Sequence, residues 1–351
     1  MKILVGIPTY NGAHRVDWLL KSISMRTGKN IEYKIVVCDD SGKKDHQEKT
    51  ISLVDKWNSL LPIVLIINNK NMGVAATWNI LIRSQSSQYI ILINDDIIVA
   101  KDWLENMVYF LENNNIGAVG YDCAIINEED MPGLVISIDA TVKPRDYFTR
   151  AQIDNFDYNQ NLPPLRCPIS SGCFFGFNRD KYNLVGGFDE NYYAFSEEFD
   201  FYTALVSRGY PNYYLRCPNN WHVISATFKT APEINANVIS ERSRLYYIKK
   251  WNGDHTVVES RYMSRIPFQR VKWICNNKIY EDIITSNYGY YTIDEIRNFV
   301  TEGYRNILKR DPDESGLNHH VDLISSGRLT REKFLDVLRC SKEYMIRFKV
   351  N

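Results

Sequence analysis

The 351-residue chain has no charge excess of either sign, because 42 Lys plus Arg balance 42 Asp plus Glu. Nucleic-acid binders carry a strong basic excess, so this balance gives no reason to expect nucleic acid as a partner. The seven cysteines are odd in number and include no Cys-x-x-Cys pair. That counts against a disulfide framework and a zinc–thiolate site; reduced thiols in a cytoplasmic protein fit best. No window of about 18 apolar residues exists, so no membrane span is expected. The opening Met1-Lys-Ile-Leu-Val-Gly-Ile7 is too short for a signal core and lacks a small-residue cleavage site. Gly-x-Gly-x-x-Gly is missing after that run, which counts against a dinucleotide-binding dehydrogenase. Internal repeats and low-complexity tracts are also missing.

What is present is an ordinary globular composition, 44% hydrophobic and 24% charged, enough to bury a sizeable core. At roughly 100–200 residues per domain, the length suggests two or three units. Short apolar runs at Ile3–Ile7, Tyr33–Cys38, Ile63–Ile67, Tyr89–Ile93 and Ala118–Gly120 predict strands. Between them, helical spacing at Val16–Ile23, Lys49–Trp57, Val74–Ile82 and Trp103–Leu111 predicts helices. This alternation implies right-handed crossovers and a mainly parallel sheet covered on both faces. Ligands on such sheets bind beyond the carboxyl ends of the strands. Patterning weakens over 121–170 and returns at Gly172–Asn178 and Glu197–Ser207. Residues 242–251 are basic and aromatic, which suits an amphipathic helix with snorkelling Lys and Arg better than a lipid-contacting segment. Residues 292–347 predict helices at Ile293–Ile307, Gly316–Leu323 and Arg331–Leu338.

Several polar clusters follow the apolar runs. Asn94-Asp95-Asp96 interrupts one such run. Buried unpaired carboxylates cost several kcal/mol unless a cation or hydrogen bonds satisfy them, and hard oxygen ligands suit Mg²⁺ or Mn²⁺. A plain polar turn is the competing account. Asp39-Asp40-Ser41 offers carboxylates to a nucleobase N–H, or a turn with a helix cap. Pro8 stiffens the exit of the first strand and Tyr10 is placed to pack beside a base, or the segment is a common turn. Asn71 and Gly73, with Asn79 in the following helix, permit close backbone approach of a ligand; helix–sheet packing explains the small residues there equally well. Glu197, Glu198 and Asp200 crowd a helix start, either as dipole partners behind a Ser196 cap or with one of them a general base raised by burial. His222 is a structural histidine or a neutral imidazole completing a divalent site.

Taken in order, these clusters resemble glycosyltransferase family 2 with its GT-A fold. The resemblance covers about residues 1–225 and includes Ser171-Gly172-Cys173 and Gly186-Gly-Phe-Asp-Glu190. It implies a base contact at Asp39 and donor contacts at Asp95, with Asp96 the metal ligand and His222 a second one. Glu198 falls at the general-base position, with Glu197 as its rival, because the family often has Glu-Asp where this chain has Glu-Glu. Asn94 also departs from the usual Asp. Residues 293–347 resemble a small helical domain of unknown function, read as an interaction or positioning module. The expected division is a catalytic domain over 1–230, a basic aromatic connection over 231–290 and an all-α module over 291–351. The implied reaction is inverting, Mn²⁺- or Mg²⁺-dependent transfer from a nucleoside-diphosphate sugar to a hydroxyl of a glycan, lipid-linked or protein acceptor. Peripheral membrane contact at the cytoplasmic face is compatible with it. A sugar-nucleotide or glycan binder without catalysis, and a nucleotidyltransferase, are the rival classes.

Overall fold

A computed structural model of the protein describes residues 2–132, 163–223, 235–254, 261–275, 277–284, 293–325, 329 and 331–348. The described residues up to 284 belong to one compact unit and those from 293 to a second.

The first unit is built on a nine-stranded sheet. Strands β1 (Ile3–Thr9), β2 (Tyr33–Asp39), β3 (Ile63–Ile67) and β4 (Tyr89–Ile93) lie in the order β3-β2-β1-β4, all parallel. The intervening helices are α1 (Ala13–Arg26), α2 (Lys44–Trp57) and α3 (Val74–Arg83). Every strand and helix expected over this stretch is present, longer by up to five residues at an end. Beyond β4 come β5 (Ile97–Ile98), α4 (Trp103–Asn113) and β6 (Ala118–Ile125). They are followed by β7 (Leu165–Cys167), β8 (Phe174–Asn178), helices α5 (Arg179–Val185) and α6 (Glu197–Val206), and β9 (Asn212–His222). Here the sheet is mixed: β8 lies antiparallel between β4 and β6, and β9 runs parallel to β6 but antiparallel to β5 and β7. The parallel expectation therefore holds for the first half of the sheet. In the second half strand direction is set by pairing partners distant in sequence, which local periodicity cannot report.

Alternate residues of each central strand feed two cores. Ile3, Val5 and Ile7 of β1, with Ile35, Val37 and Ile91, pack against Val16, Leu19 and Ile23 of α1 and Trp103 of α4. Leu4, Val36, Ile90 and Leu92 point the other way, onto Ala75, Trp78 and Leu81 of α3 and Phe175 and Phe177 of β8. Coverage on both faces explains why β4 reads as a continuous apolar run rather than an alternating one. Helix α7 (Ala236–Trp251) and a hairpin of β10 (Arg270–Cys275) and β11 (Lys278–Ile283) belong to the same unit. Asn114 fastens that hairpin to the end of α4: its amide donates to Lys272 O and its carbonyl accepts from Lys272 N, both at 2.8 Å. Cys275 is disulfide-bonded, which corrects the expectation of uniformly reduced thiols. Sequence spacing carries no information on which thiols a fold brings within bonding distance. Cys38, Cys123, Cys167, Cys173 and Cys340 are free.

The second unit contains α8 (Ile293–Gly303), one π-helical stretch (Tyr304–Leu308), α9 (Glu314–Ser325), α10 (Arg331–Arg339) and α11 (Lys342–Phe348). Ile296, Val300 and Tyr304 recur every four residues and meet Val321, Ile324, Phe334 and Leu338 in one core. Arg310 grips Glu343 with two nitrogens, at 2.5 and 2.7 Å. Among the described residues of both units, no helix is long and apolar enough to cross a membrane.

Candidate active site

Strands β1, β2 and β4 end side by side, so Thr9, Asp39 and the Asn94-Asp95-Asp96 turn share the carboxyl edge of the sheet. Asp39 is buried. Its Oδ1 accepts from Ser41 N at 2.9 Å and its Oδ2 from Thr50 Oγ1 at 2.5 Å. Asp40 accepts from Asn68 Nδ2 at 2.7 Å, Met72 N at 2.9 Å and Gly73 N at 3.1 Å. Burial raises the Asp40 pKa, and these donors hold the rise back. Asn71 Oδ1 also accepts from Gly73 N, at 3.0 Å. Gly73 stands at φ +85°, and a Cβ there would lie 2.5 Å from Tyr193 O, so glycine permits both the corner and the approach of the Tyr193 loop. The Tyr193 phenol feels the charge of Asp40 and the ring of Tyr10. Pro8 pairs with Cys38 in the β1–β2 ladder and stands at the same edge. Asp39, Asn71, Gly73, Pro8 and Tyr10 are thus gathered in one corner.

Asn79 bonds away from that corner. Its amide donates to Phe188 O and Glu190 Oε1, each at 2.8 Å, and its carbonyl accepts from Tyr182 OH at 2.8 Å and Phe188 N at 3.1 Å. Two donors and two acceptor sites are the whole capacity of an amide side chain. Asn79 therefore ties α3 to the Gly186–Glu190 turn.

The acidic turn divides its two carboxylates between different tasks. Asp95 points inward, accepting from Thr9 Oγ1 at 2.6 Å and from Arg15 Nε at 3.2 Å and Nη2 at 3.4 Å. Burial pushes its pKa up and Arg15 opposes; the Asp96 charge adds to the rise. Arg15 is completely buried, and its charge is held by Asp95 against the cost of desolvation. Sequence reading passed over Arg15, although it sits on the face of α1 that carries Leu19, Ser22, Ile23 and Arg26, all buried. A charge on a buried helical face was the available signal.

Asp96 faces the opposite side. It is 6% exposed, and its Oδ1 is buried without a hydrogen-bond partner, 3.4 Å from His222 Nε2. The sheet makes this juxtaposition: Ile97 pairs with His222 across β5–β9, and Val223 N donates to Asp96 O at 3.0 Å. Burial alone would lower the His222 pKa, but Cys173 and Asp96 raise it well above the usual imidazole range. Cys173 lies against Cys123 and His222 and 3.1 Å from Ser171 Oγ. Its pKa falls well below the usual thiol range, first through Cys123. In sequence Cys173 stands out only within the Ser171-Gly172-Cys173 motif, and Cys123 carries no role. Among the described residues no three His, Cys, Asp or Glu side chains are arranged to hold a metal ion.

Ser171-Gly172-Cys173 joins this side of the site to the next. Cys173 O accepts from Asn94 N at 2.8 Å, and Ser171 O accepts from Tyr202 OH of α6 at 2.6 Å. A Cβ on Gly172 would lie 2.6 Å from Glu198 Oε1, so only glycine leaves room for that carboxylate. Glu197 is buried, whereas Glu198 is partly exposed. Each has an Oε2 without a hydrogen-bond partner. Burial drives Glu198 up to about 7, opposed by its own N–H and that of Phe199. Burial and then the Glu198 charge raise Glu197 well above the usual carboxyl range. Ser196 does not cap the helix: it stands at φ 66° with no side-chain cap bond, and Phe195 before it is also at φ 66°. Two successive non-glycine residues in the left-handed region store strain of order 1–3 kcal/mol each, a cost typical of functional segments.

A half-parallel sheet with an acidic turn beyond β4 and a buried carboxylate pair facing it defines a glycosyltransferase of the GT-A fold class. The model of the family described as "Glycosyl transferase family 2" matches residues 4–186, and the chain belongs to that family. A domain of unknown function, DUF4214, matches residues 282–348. An uncharacterized glycosyltransferase of Haemophilus influenzae is 24% identical over 85% of this chain and 90% of its own length. Among solved structures, S. aureus TarS 1-349 in complex with UDP-GlcNAc aligns with TM-score 0.50 and 14% identity, over 97% of this chain and 92% of the other. GalNAc-T7 with UDP, GalNAc and Mn²⁺ aligns with TM-score 0.50 and 19% identity, over 64% of this chain and 44% of the other. At these identities the two structures speak for the fold.

Proposed function

We propose that this glycosyltransferase moves a sugar from a nucleoside diphosphate to an acceptor hydroxyl with inversion, assisted by a divalent cation. The observation that carries the proposal is that a buried carboxylate oxygen without a hydrogen-bond partner, on Glu198 beside Gly172, and the buried Asp96–His222 pair lie along the same Ser171-Gly172-Cys173 segment. An unpaired buried acceptor is costly unless a ligand completes it. Asp96 Oδ1 and His222 Nε2 are an oxygen and a nitrogen donor, and both suit Mn²⁺ or Mg²⁺. Asp96 and His222 would hold such a cation together with the donor's diphosphate. When bound, such a cation would offset the charge growing on the diphosphate leaving group.

The protein's own residues supply the rest. The corner formed by Pro8, Tyr10, Asp39, Asn71 and Gly73 receives the nucleoside. Asp95, neutralised by Arg15 and Thr9, fixes the turn that presents Asp96. Glu198, at about 7, takes the proton from the acceptor hydroxyl as that oxygen attacks the anomeric carbon from the face opposite the diphosphate. Glu197, deeper and raised by burial and then by the Glu198 charge, leaves the base role to its neighbour. Glycans and lipid-linked glycans are the acceptor classes this reading favours.

A screen of nucleotide sugars with Mn²⁺ tests the proposal. A donor at 100 times its dissociation constant should add about 2.7 kcal/mol of stability, and slow hydrolysis should release nucleoside diphosphate. Binding without any release would instead mark a pure binder, and pyrophosphate release a nucleotidyltransferase.

A further inference from the structure

One face of α7 is committed to the segment that carries Glu198. Ser243, Tyr246, Tyr247, Lys250 and Trp251 recur at helical spacing, and each bonds to residues between 189 and 203. Ser243 Oγ donates to Ala194 O at 2.7 Å, and Tyr247 OH meets Thr203 Oγ1 at 2.6 Å. Tyr246 OH donates to Asp189 Oδ2 at 3.0 Å. Lys250 Nζ bridges two carboxylates, Asp189 Oδ2 at 2.7 Å and Asp200 Oδ2 at 2.9 Å. Trp251 Nε1 donates to the other Asp200 oxygen at 2.8 Å, where Tyr192 OH also lies, at 3.3 Å. Lys250, at the exposed edge of this amphipathic helix, is thus engaged by two carboxylates.

Asp189 and Asp200 bracket the strained Phe195–Ser196 corner, and Asp200 shares the first turn of α6 with Glu198. A corner of this kind persists only where the surroundings over-determine it. We propose that Lys250 and Trp251 are positioning residues for the transfer reaction: through Asp189 and Asp200 they clasp both ends of the strained corner and thereby aim Glu198 at the acceptor. This rests on Glu198 being the general base. Neither residue touches the reacting atoms. A misplacement of about 1 Å at a catalytic group can cost about 100-fold in rate, so loss of the clasp should appear in kcat while the donor corner, built on other elements, keeps its affinity.

The test compares Lys250→Met, Lys250→Arg and Trp251→Phe in the full chain, with kcat and donor KM measured separately and folding checked by circular dichroism. Lys250→Met should lower kcat about 100-fold with donor KM unchanged. Lys250→Arg, whose guanidinium still spans two carboxylates, should restore most of it, and Trp251→Phe should show a smaller loss. If Lys250→Met does not fold, Trp251→Phe decides the matter, because it removes the indole N–H while keeping an aromatic ring against Tyr247 and Tyr262. In a Glu198→Gln background, Lys250→Met should cause no further loss, since the clasp acts through Glu198. Wild-type kcat in both Lys250→Met and Trp251→Phe, or an equal additional loss in the Glu198→Gln background, overturns the inference and leaves the base assignment standing. Wild-type transfer by Glu198→Gln itself removes the base assignment and the clasp with it.

Discussion

Glu198→Gln is expected to make the protein inactive and, at neutral and higher pH, more stable. In the folded chain burial holds this carboxyl at about 7 against an ordinary 4.5. At 1.36 kcal/mol per pH unit, ionising it in place costs the folded state about 3 kcal/mol. Partial exposure of Glu198 makes that figure an upper bound. The sign follows from the order of ionisation. Below 4.5 the carboxyl is protonated whether the chain is folded or not. Between 4.5 and about 7 the unfolded chain ionises first, so folded stability falls as pH rises, and it levels off above. Glutamine has the same shape and no charge. Urea unfolding should therefore give nearly equal stabilities for the two proteins near about pH 5 and an advantage of up to about 3 kcal/mol for the variant near about pH 8. Turnover moves the other way. Wild-type kcat/KM should fall as pH drops through about 7, because the base becomes protonated, and the variant should lose 10²–10⁴-fold on the alkaline plateau, a gap that narrows as pH falls. A stability difference that does not change with pH, or a variant less stable than wild type near about pH 8, refutes the claim that burial holds this carboxyl up. An acidic limb surviving in the variant's residual activity refutes its role as the base.

Asp96→Asn should lower transfer by at least about 100-fold and abolish Mn²⁺ binding measured by electron paramagnetic resonance without substrate turnover; retained Mn²⁺ affinity would move the metal site elsewhere. Arg15→Met leaves the Asp95 charge buried without its partner and should cost about 3–5 kcal/mol in urea unfolding; a loss under about 1 kcal/mol would show the pair to be energetically idle. Asn79→Ala strips partners from Tyr182, Phe188 and Glu190 and should destabilise by about 1–3 kcal/mol, while donor affinity by calorimetry stays as in wild type; a large drop in affinity would return Asn79 to the donor site.

The parallel half of the fold was legible because its signals are local. Apolar runs at Ile3, Tyr33, Ile63 and Tyr89 alternate with helical spacing, and that pattern admits few topologies. The same locality drew attention to the clusters around Asp39, Asp96 and Glu198, since polar residues that interrupt or follow buried runs must be satisfied by something. Residue types alone could not report what satisfies them. Asp95 and Asp96 are neighbours in sequence with the same chemistry, yet one turns onto Arg15 and Thr9 and the other onto His222. Nor could residue types report that Asn79 makes four hydrogen bonds to residues more than a hundred positions away.

By itself, then, the sequence determined the strand–helix order of the first 120 residues, the carboxyl edge as the place of the site, and the residue types that line it. It determined these because burial periodicity and turn chemistry act over a few residues. Only the tertiary structure decided which of two adjacent carboxylates turns onto Arg15 and which onto His222. It also decided that Glu198 rather than Glu197 reaches solvent, and that a helix some fifty residues further along the chain holds Glu198's turn in place. Those outcomes depend on distances between residues far apart in the chain, and electrostatic and hydrogen-bond energies follow distance in space.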